Sequence, residues 1–275
     1  MSFHIAGAGA LDEPVCRYAG SALSYRGPCA SLDEPYIAFL GGNETYGRFV
    51  EVPFPLLTDR LLGRSCVNLG CVNAGLDTML NDAGLMRIAA GAELVVLQLP
   101  GAQNLSNRYY RVHPRRNDRF LAPTGRLAAL YPEVDFTEFH FTKHLLGTLL
   151  RLGPDRFAAI RDELRDIWLD RMDRLLRALG GRVLLLWLQY ADDRPHGDEA
   201  LGPDPLLLTR SMIDRVRGES RGLIEVAVAP ACQRAGEMEK MVYGPLQAPA
   251  AEHMLGPGMH MRIASRLADR LTHLL

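Results

Sequence analysis

Residues 40–47 read LGGNETYG, a glycine-rich turn that follows the apolar run YIAF. Small residues there let backbone amides approach a ligand closely. At the centre stands Asn43, whose side chain can donate and accept hydrogen bonds but cannot act as a serine-type nucleophile. Two further short stretches have the same character: NLGCVNAG (68–75), with Gly70, Asn73 and Gly75, and PGAQN (100–104), with Gly101, Gln103 and Asn104. Near the C-terminus His253 offers an imidazole, the side chain best suited to general acid–base work at neutral pH. With Asn43, Gln103 and nearby amides as hydrogen-bond donors, His253 could act on water or an acceptor hydroxyl while an oxyanion is stabilised. The same donors would equally cradle a carboxylate, phosphate or sugar without chemistry. Thr45 and Cys71 are the remaining candidate nucleophiles, against plain readings as a turn residue and a small buried hydrophobe.

A second signal is NRYYRVHPRRNDRF (107–120), where Arg108, Arg111, Arg115, Arg116 and Arg119 surround two tyrosines and a histidine. Guanidinium forks suit anions. The expectation is a loop that clamps an anion at the mouth of the site, against the plain reading of a solvated loop paired with local carboxylates. His140 and His144 stand four apart in HFTKH, without the glutamate of a zinc-protease motif, and read as ordinary histidines. Asp192, Asp193, His196, Asp198 and Glu199 form a polar turn from which a carboxylate could reach His253. No metal or cofactor is expected.

These stretches need elements to position them. The runs 36–40, 65–70, 93–99, 182–188 and 222–228 are short and bounded by Gly, Pro or charge, and four of the five are nearly continuous in apolar character. That is the pattern of strands covered on both faces of a parallel sheet. Helical patterns lie between them at 55–63, 77–90, 137–179 and 206–217, and a last one covers 256–274. Strands alternating with helices imply a doubly wound α/β domain, flavodoxin-like, with five parallel strands in the order 2-1-3-4-5. Ligands bind such sheets at the carboxyl ends of the strands, where strand order reverses, and the loops 41–47 and 101–104 fall there.

Residues 1–35, rich in Gly, Ala and Pro, read as an arm on the core domain 36–275. Residues 105–180 exceed what one crossover needs and read as a helical insertion. It either covers the site, makes a dimer contact, or packs on the sheet as a long crossover. Asp135 and Glu138 predict a helix start near Phe136. Phe157, Ile160, Leu164, Ile167, Trp168, Leu175 and Leu179 predict an apolar stripe.

The same blocks resemble the SGNH (GDSL-type) esterase and acyltransferase superfamily. Its first block, Gly-Asp-Ser-x-Thr-x-Gly, aligns with Gly41, Gly42, Asn43, Glu44, Thr45, Tyr46 and Gly47. Its second contributes a glycine amide, for which Gly70, Asn73 and Gly75 compete. The third, Gly-x-Asn-Asp, is similar to Gly101–Asn104. The last, Asp-x-x-His with a glycine five residues on, fits His253 and Gly258, but Ala250 occupies the aspartate slot. The resemblance implies a hydrolase or acyltransferase acting on an ester or acyl group, with a carbohydrate-linked substrate among the options. Asn43 in place of serine, and Ala250 in place of aspartate, remove the usual acyl-enzyme route. The chain as a whole also resembles an uncharacterised bacterial domain family that transfers no activity.

The alternatives are a binding protein for a small anionic or glycan ligand, using Gly42 and the other amides of the pocket, and an interaction protein that forms a homodimer through the insertion. With 275 residues and a formal net charge of −1, no global field points to nucleic acid or an anionic membrane. The N-terminus lacks the form of a signal peptide, and the longest apolar run is far short of a span. Five cysteines without regular spacing read as reduced thiols of a cytoplasmic protein.

Overall fold

The computed structural model describes residues 14–190 and 201–275. Five strands form one sheet: β1 (Ile37–Gly41), β2 (Cys66–Gly70), β3 (Leu94–Gln98), β4 (Val183–Tyr190) and β5 (Leu223–Val228). All neighbours pair in parallel, in the order β2-β1-β3-β4-β5. This is the expected doubly wound order.

Side chains alternate between faces along a strand, and here both sets are apolar. Ala38, Leu40, Val95, Leu97, Val183 and Leu185 face one layer of helices, which includes Leu76–Asn81, Ala83–Gly91 and Pro154–Ala178. Ile37, Phe39, Leu94, Val96, Leu184 and Leu186 face the other, made by Phe54–Leu62 and Pro257–Thr272. Burial on both sides is why the strands read as unbroken apolar runs.

Several expected elements differ in detail. The helix expected over 77–90 breaks at Asp82, whose carboxylate caps the second piece by accepting from the Leu85 N–H at 2.7 Å. Its other oxygen accepts from the Ala22 N–H at 2.8 Å and ties down the N-terminal segment. The helix expected near Phe136 is one 3-10 turn, Phe136–Glu138, and the first α-helix of the 137–179 region is Thr142–Leu152. Gly153 and Pro154 separate it from the 25-residue helix Pro154–Ala178. In that helix Phe157, Ile160, Leu164, Trp168 and Leu175 are buried in the same cluster as the sheet, and Leu179 just beyond it joins them. The stripe therefore serves the chain's own core.

The arginine-rich stretch is an antiparallel hairpin, Tyr110–His113 with Arg116–Pro123, and not a free loop. Its alternating residues Tyr110, Val112 and Phe120 are buried, which supplies the apolar side a hairpin needs.

The expectation of reduced thiols is corrected at one pair. Cys16 and Cys29 are joined by a disulfide, with Cα atoms 5.0 Å apart. Two short strands, Val15–Cys16 and Tyr25–Arg26, pair beside it. The bridge removes the support that reduced cysteines gave to a cytoplasmic location. No helix among the described residues is long and apolar enough to cross a membrane.

Candidate functional site

A cavity of about 390 Å³ opens at the carboxyl edge of the sheet, between the loops that follow β1, β2 and β3. Gly42, Asn43, Asn73, Gly101, Gln103, Asn104 and His253 all line it. Four separate stretches therefore converge where strand order reverses.

The loop after β1 turns at once into a short helix, Asn43–Tyr46. Two glycines make this possible. A Cβ on Gly41 would lie 2.0 Å from Thr45 Oγ1, and one on Gly70 would lie 2.3 Å from the Tyr46 backbone nitrogen. The loop thus packs directly on the ends of β1 and β2.

Asn43 is not free. Its Nδ2 donates to Asn73 Oδ1 at 3.0 Å, and the Asn73 N–H donates to Asn43 Oδ1 at 3.1 Å. Asn73 has a φ of 59°, a left-handed conformation that asparagine tolerates better than most residues. The two asparagines close a ring of hydrogen bonds across one wall of the cavity.

Thr45 is removed from the list of nucleophiles. It is 1% exposed, and its hydroxyl donates to Gln98 Oε1 at 2.6 Å. The same oxygen accepts from the Thr45 and Gly42 amides, each at 3.2 Å. Gln98 Nε2 donates to Glu44 Oε2 at 2.6 Å. Gln98 therefore fastens the whole turn and aims Glu44 into the cavity. Glu44 Oε1 also accepts from the Tyr190 hydroxyl at 3.1 Å. Burial, then the charge of Glu44, holds the Tyr190 hydroxyl well above its ordinary pKa, so it stays a donor.

Cys71 is excluded on similar grounds. It is buried, and burial pushes its thiol up to about 12, with the Asp82 charge adding to the effect. Only a thiolate would attack.

Of the three residues competing for the second block, only Asn73 lines the cavity. The Gly70 amide donates to Asn68 Oδ1 and the Gly75 amide to Asn117 Oδ1, both at 2.9 Å. These amides are occupied in holding loops together.

The third loop contributes Gly101, Gln103 and Asn104. A Cβ on Gly101 would lie 2.1 Å from Gln103 Oε1, so glycine is what lets that side chain lie back over the loop. Gln103 Oε1 is buried without a hydrogen-bond partner among the described residues. Asn104 Oδ1 accepts from Thr142 Oγ1 at 2.5 Å, which fixes its orientation.

His253 is exposed on the cavity wall and makes no hydrogen bond or ion pair with a described residue. Glu44 is occupied by Gln98 and Tyr190, and Glu252 is exposed. Neither orients the imidazole. His260 lies on the last helix and is buried against Phe54, whose N–H it accepts at Nδ1 at 3.0 Å. Burial pulls its pKa down to about 3.

The arginine clamp is corrected. Arg108, Arg111, Arg115, Arg116 and Arg119 do not line the cavity. Arg108 pairs with the buried carboxylate of Glu163, Arg111 donates to the Asn107 carbonyl at 2.7 Å, and Arg119 lies over the Phe141 ring. Three of the arginines that stand close together in sequence are thus engaged by separate local partners. What the hairpin does give the cavity is Asp118. Its Oδ1 is buried with no partner among the described residues. Burial raises its carboxyl above the ordinary range, against the opposing pull of Arg116, its own backbone amide, Arg119 and His113.

Asp118, Gln98, Lys143, Tyr190 and Asp204 were not singled out from the sequence, yet they complete the wall. Gln98 had a visible signal, a polar residue ending an otherwise apolar strand. Asp118 had none. His140 precedes the helix that carries His144, and both are exposed. The segment holding Asp192, Asp193, His196, Asp198 and Glu199 lies outside the described residues.

Fold and cavity together define a doubly wound α/β protein with a polar cleft at the carboxyl edge of its sheet. The chain belongs to the family described as "Domain of unknown function (DUF6473)", whose model matches residues 1–275. No curated protein matches the sequence. Two solved structures are similar at low identity. One is the lipase Lip_vut3 from a goat rumen metagenome, 11% identical, TM-score 0.42, with 86% of this chain and 97% of the lipase covered. The other is the salicylyl-acyltransferase SsfX3 from a tetracycline biosynthetic pathway, 13% identical, TM-score 0.39, with 92% of this chain and 59% of that chain covered. At this level of similarity nothing about the site follows from either.

Proposed function

We propose that the cavity binds a small hydroxylated ligand, glycan fragments included, and that it forms no acyl-enzyme. The observation that carries this reading is the pair Asn43–Asn73. In the SGNH register Asn43 stands at the serine position, and its amide is held in two reciprocal hydrogen bonds. His253, on the same cavity, has no carboxylate among the described residues to fix its tautomer. With Thr45 and Cys71 buried and protonated, the described residues offer no nucleophile–base couple. The wall is rich in amides and acceptors instead: Asn43, Asn73, Gln103, Asn104 and Gln98. Such a lining suits hydroxyl groups, which both donate and accept. Its charged groups among the described residues are Glu44, Asp118 and Asp204 against Lys143, so an anionic ligand is the poorer fit.

A second reading is favoured by one feature. The His253 imidazole stands unblocked at the cavity, where it could act as a general base on water attacking an ester. One experiment separates the two. Hydrolysis of p-nitrophenyl acetate and binding of monosaccharides, followed by calorimetry, are measured for the wild type, His253→Ala and Asn104→Ala. Saturable binding that weakens in Asn104→Ala, with hydrolysis no different between the wild type and His253→Ala, is expected. Hydrolysis that disappears in His253→Ala would replace the binding reading by the atypical hydrolase.

A further inference from the structure

Glu44 and Asp118 are both in the cavity, and neither makes an ion pair with a described residue. Among the described residues Glu44 is held by neutral donors, the Gln98 amide at 2.6 Å and the Tyr190 hydroxyl at 3.1 Å. Asp118 keeps one buried oxygen, Oδ1, with no hydrogen-bond partner among the described residues. Arg116 and Arg119 act on it at a distance, but their pull is outweighed by burial. The third carboxylate, Asp204, is different, because Lys143 Nζ lies 3.1 Å from it. Among the described residues, the cavity's one ammonium is thereby matched, and two carboxylates are left without a cationic partner.

Unmatched carboxylates in a partly enclosed space favour a positive guest, because reduced screening by bulk water strengthens the attraction. Gln103 Oε1, a neutral acceptor also without a donor among the described residues, adds to the same demand. A metal ion is not the guest that fits. Metals need several converging ligands, and no group of three or more His, Cys, Asp or Glu is placed to hold one among the described residues. An organic ammonium requires less, since each N–H takes one acceptor.

We propose that the ligand of this cavity carries a protonated primary amine next to its hydroxyl groups, as an amino sugar or amino alcohol does, and that Asp118 and Glu44 supply the charge that selects it. This inference rests on the binding reading above and narrows it.

The test uses three ring compounds that differ in one substituent: glucosamine, glucose and glucuronate. Each is titrated into the purified full chain by calorimetry, below neutral pH so that the amine is charged. Glucosamine is expected to bind at least tenfold more tightly than glucose, and glucuronate more weakly than both. Asp118→Asn should bring glucosamine close to glucose, measured in the same variant. Glu44→Gln provides the second variant if Asp118→Asn does not fold. Equal binding of glucose and glucosamine, unaltered by either substitution, would overturn the charge selection and leave the binding reading standing. Tightest binding by glucuronate would overturn it too. Absence of saturable binding by all three would remove the hydroxylated-ligand reading and this inference with it.

Discussion

Replacing Gln98 by leucine tests the central claim about how the site is held. Gln98 is 9% exposed, and its Oε1 accepts from the Thr45 hydroxyl, the Thr45 amide and the Gly42 amide. Leucine fits the volume but accepts nothing. The two Thr45 donors are then buried without partners, since Thr45 is 1% exposed. Each such group costs about 1–3 kcal/mol, so together they cost about 2–6 kcal/mol. Gly42 borders the cavity, where water can replace the lost acceptor, and Glu44 keeps the Tyr190 hydroxyl. Those two terms are therefore small, and a loss of about 3 kcal/mol is expected. Against a typical domain stability of about 5–15 kcal/mol this is large. With a urea m-value at the upper end of about 1–3 kcal/mol/M, the unfolding midpoint should fall by about 1 M. Gln98→Glu is the informative partner. It keeps an accepting oxygen but sets a second carboxylate where an amide now lies 2.6 Å from Glu44 Oε2. Like charges so placed raise one carboxyl pKa. The variant should be destabilised at neutral pH and recover relative to the wild type as pH falls and one carboxyl takes a proton. A midpoint shift below about 0.3 M for Gln98→Leu, or a pH-independent deficit for Gln98→Glu, would refute the reasoning.

Two other expectations follow from buried titrating groups. The Cys71 thiol, ordinarily near 9.0, is held up at about 12, so the folded state keeps a proton that the unfolded state loses. The stabilisation is present below pH 9 and is lost as pH rises towards 12; Cys71→Ala should flatten that alkaline slope in urea titrations, and native alkylation should modify exposed Cys232 well before Cys71. His260 runs the other way: its pKa falls from 6.5 to about 3, so below pH 6.5 the unfolded state binds a proton that the folded state refuses. Stability should therefore decline on acidification by up to about 1.4 kcal/mol per pH unit from this group. His260→Gln, which can still accept from the Phe54 N–H, should show a shallower acid slope; an unchanged slope would mean that His260 is not buried as described.

What the sequence determined by itself was the layering of the fold. Strands such as ELVVLQL and RVLLLWL declare themselves because burial on both faces demands apolar residues at every position. Once five such runs alternate with helices, handedness and strand twist leave few arrangements. That also placed the loops 41–47 and 101–104 at one edge, since in a parallel sheet all carboxyl ends lie together, whereas His253 was brought there only by the resemblance to the SGNH blocks. Tertiary structure alone decided what those loops do. Whether Asn43 is free or locked depends on Asn73, thirty residues away and on a different strand's loop. Whether Gly70 and Gly75 offer their amides depends on Asn68 and Asn117 taking them first. The arginines of 107–120 form a cluster in the chain, yet none of the five lines the cavity, and three of them take separate local partners. Asp118, from the same hairpin, does line it. Apolar periodicity is local and readable over a few residues. The partner of a polar group is chosen by geometry across the whole fold, and no window of sequence contains that choice.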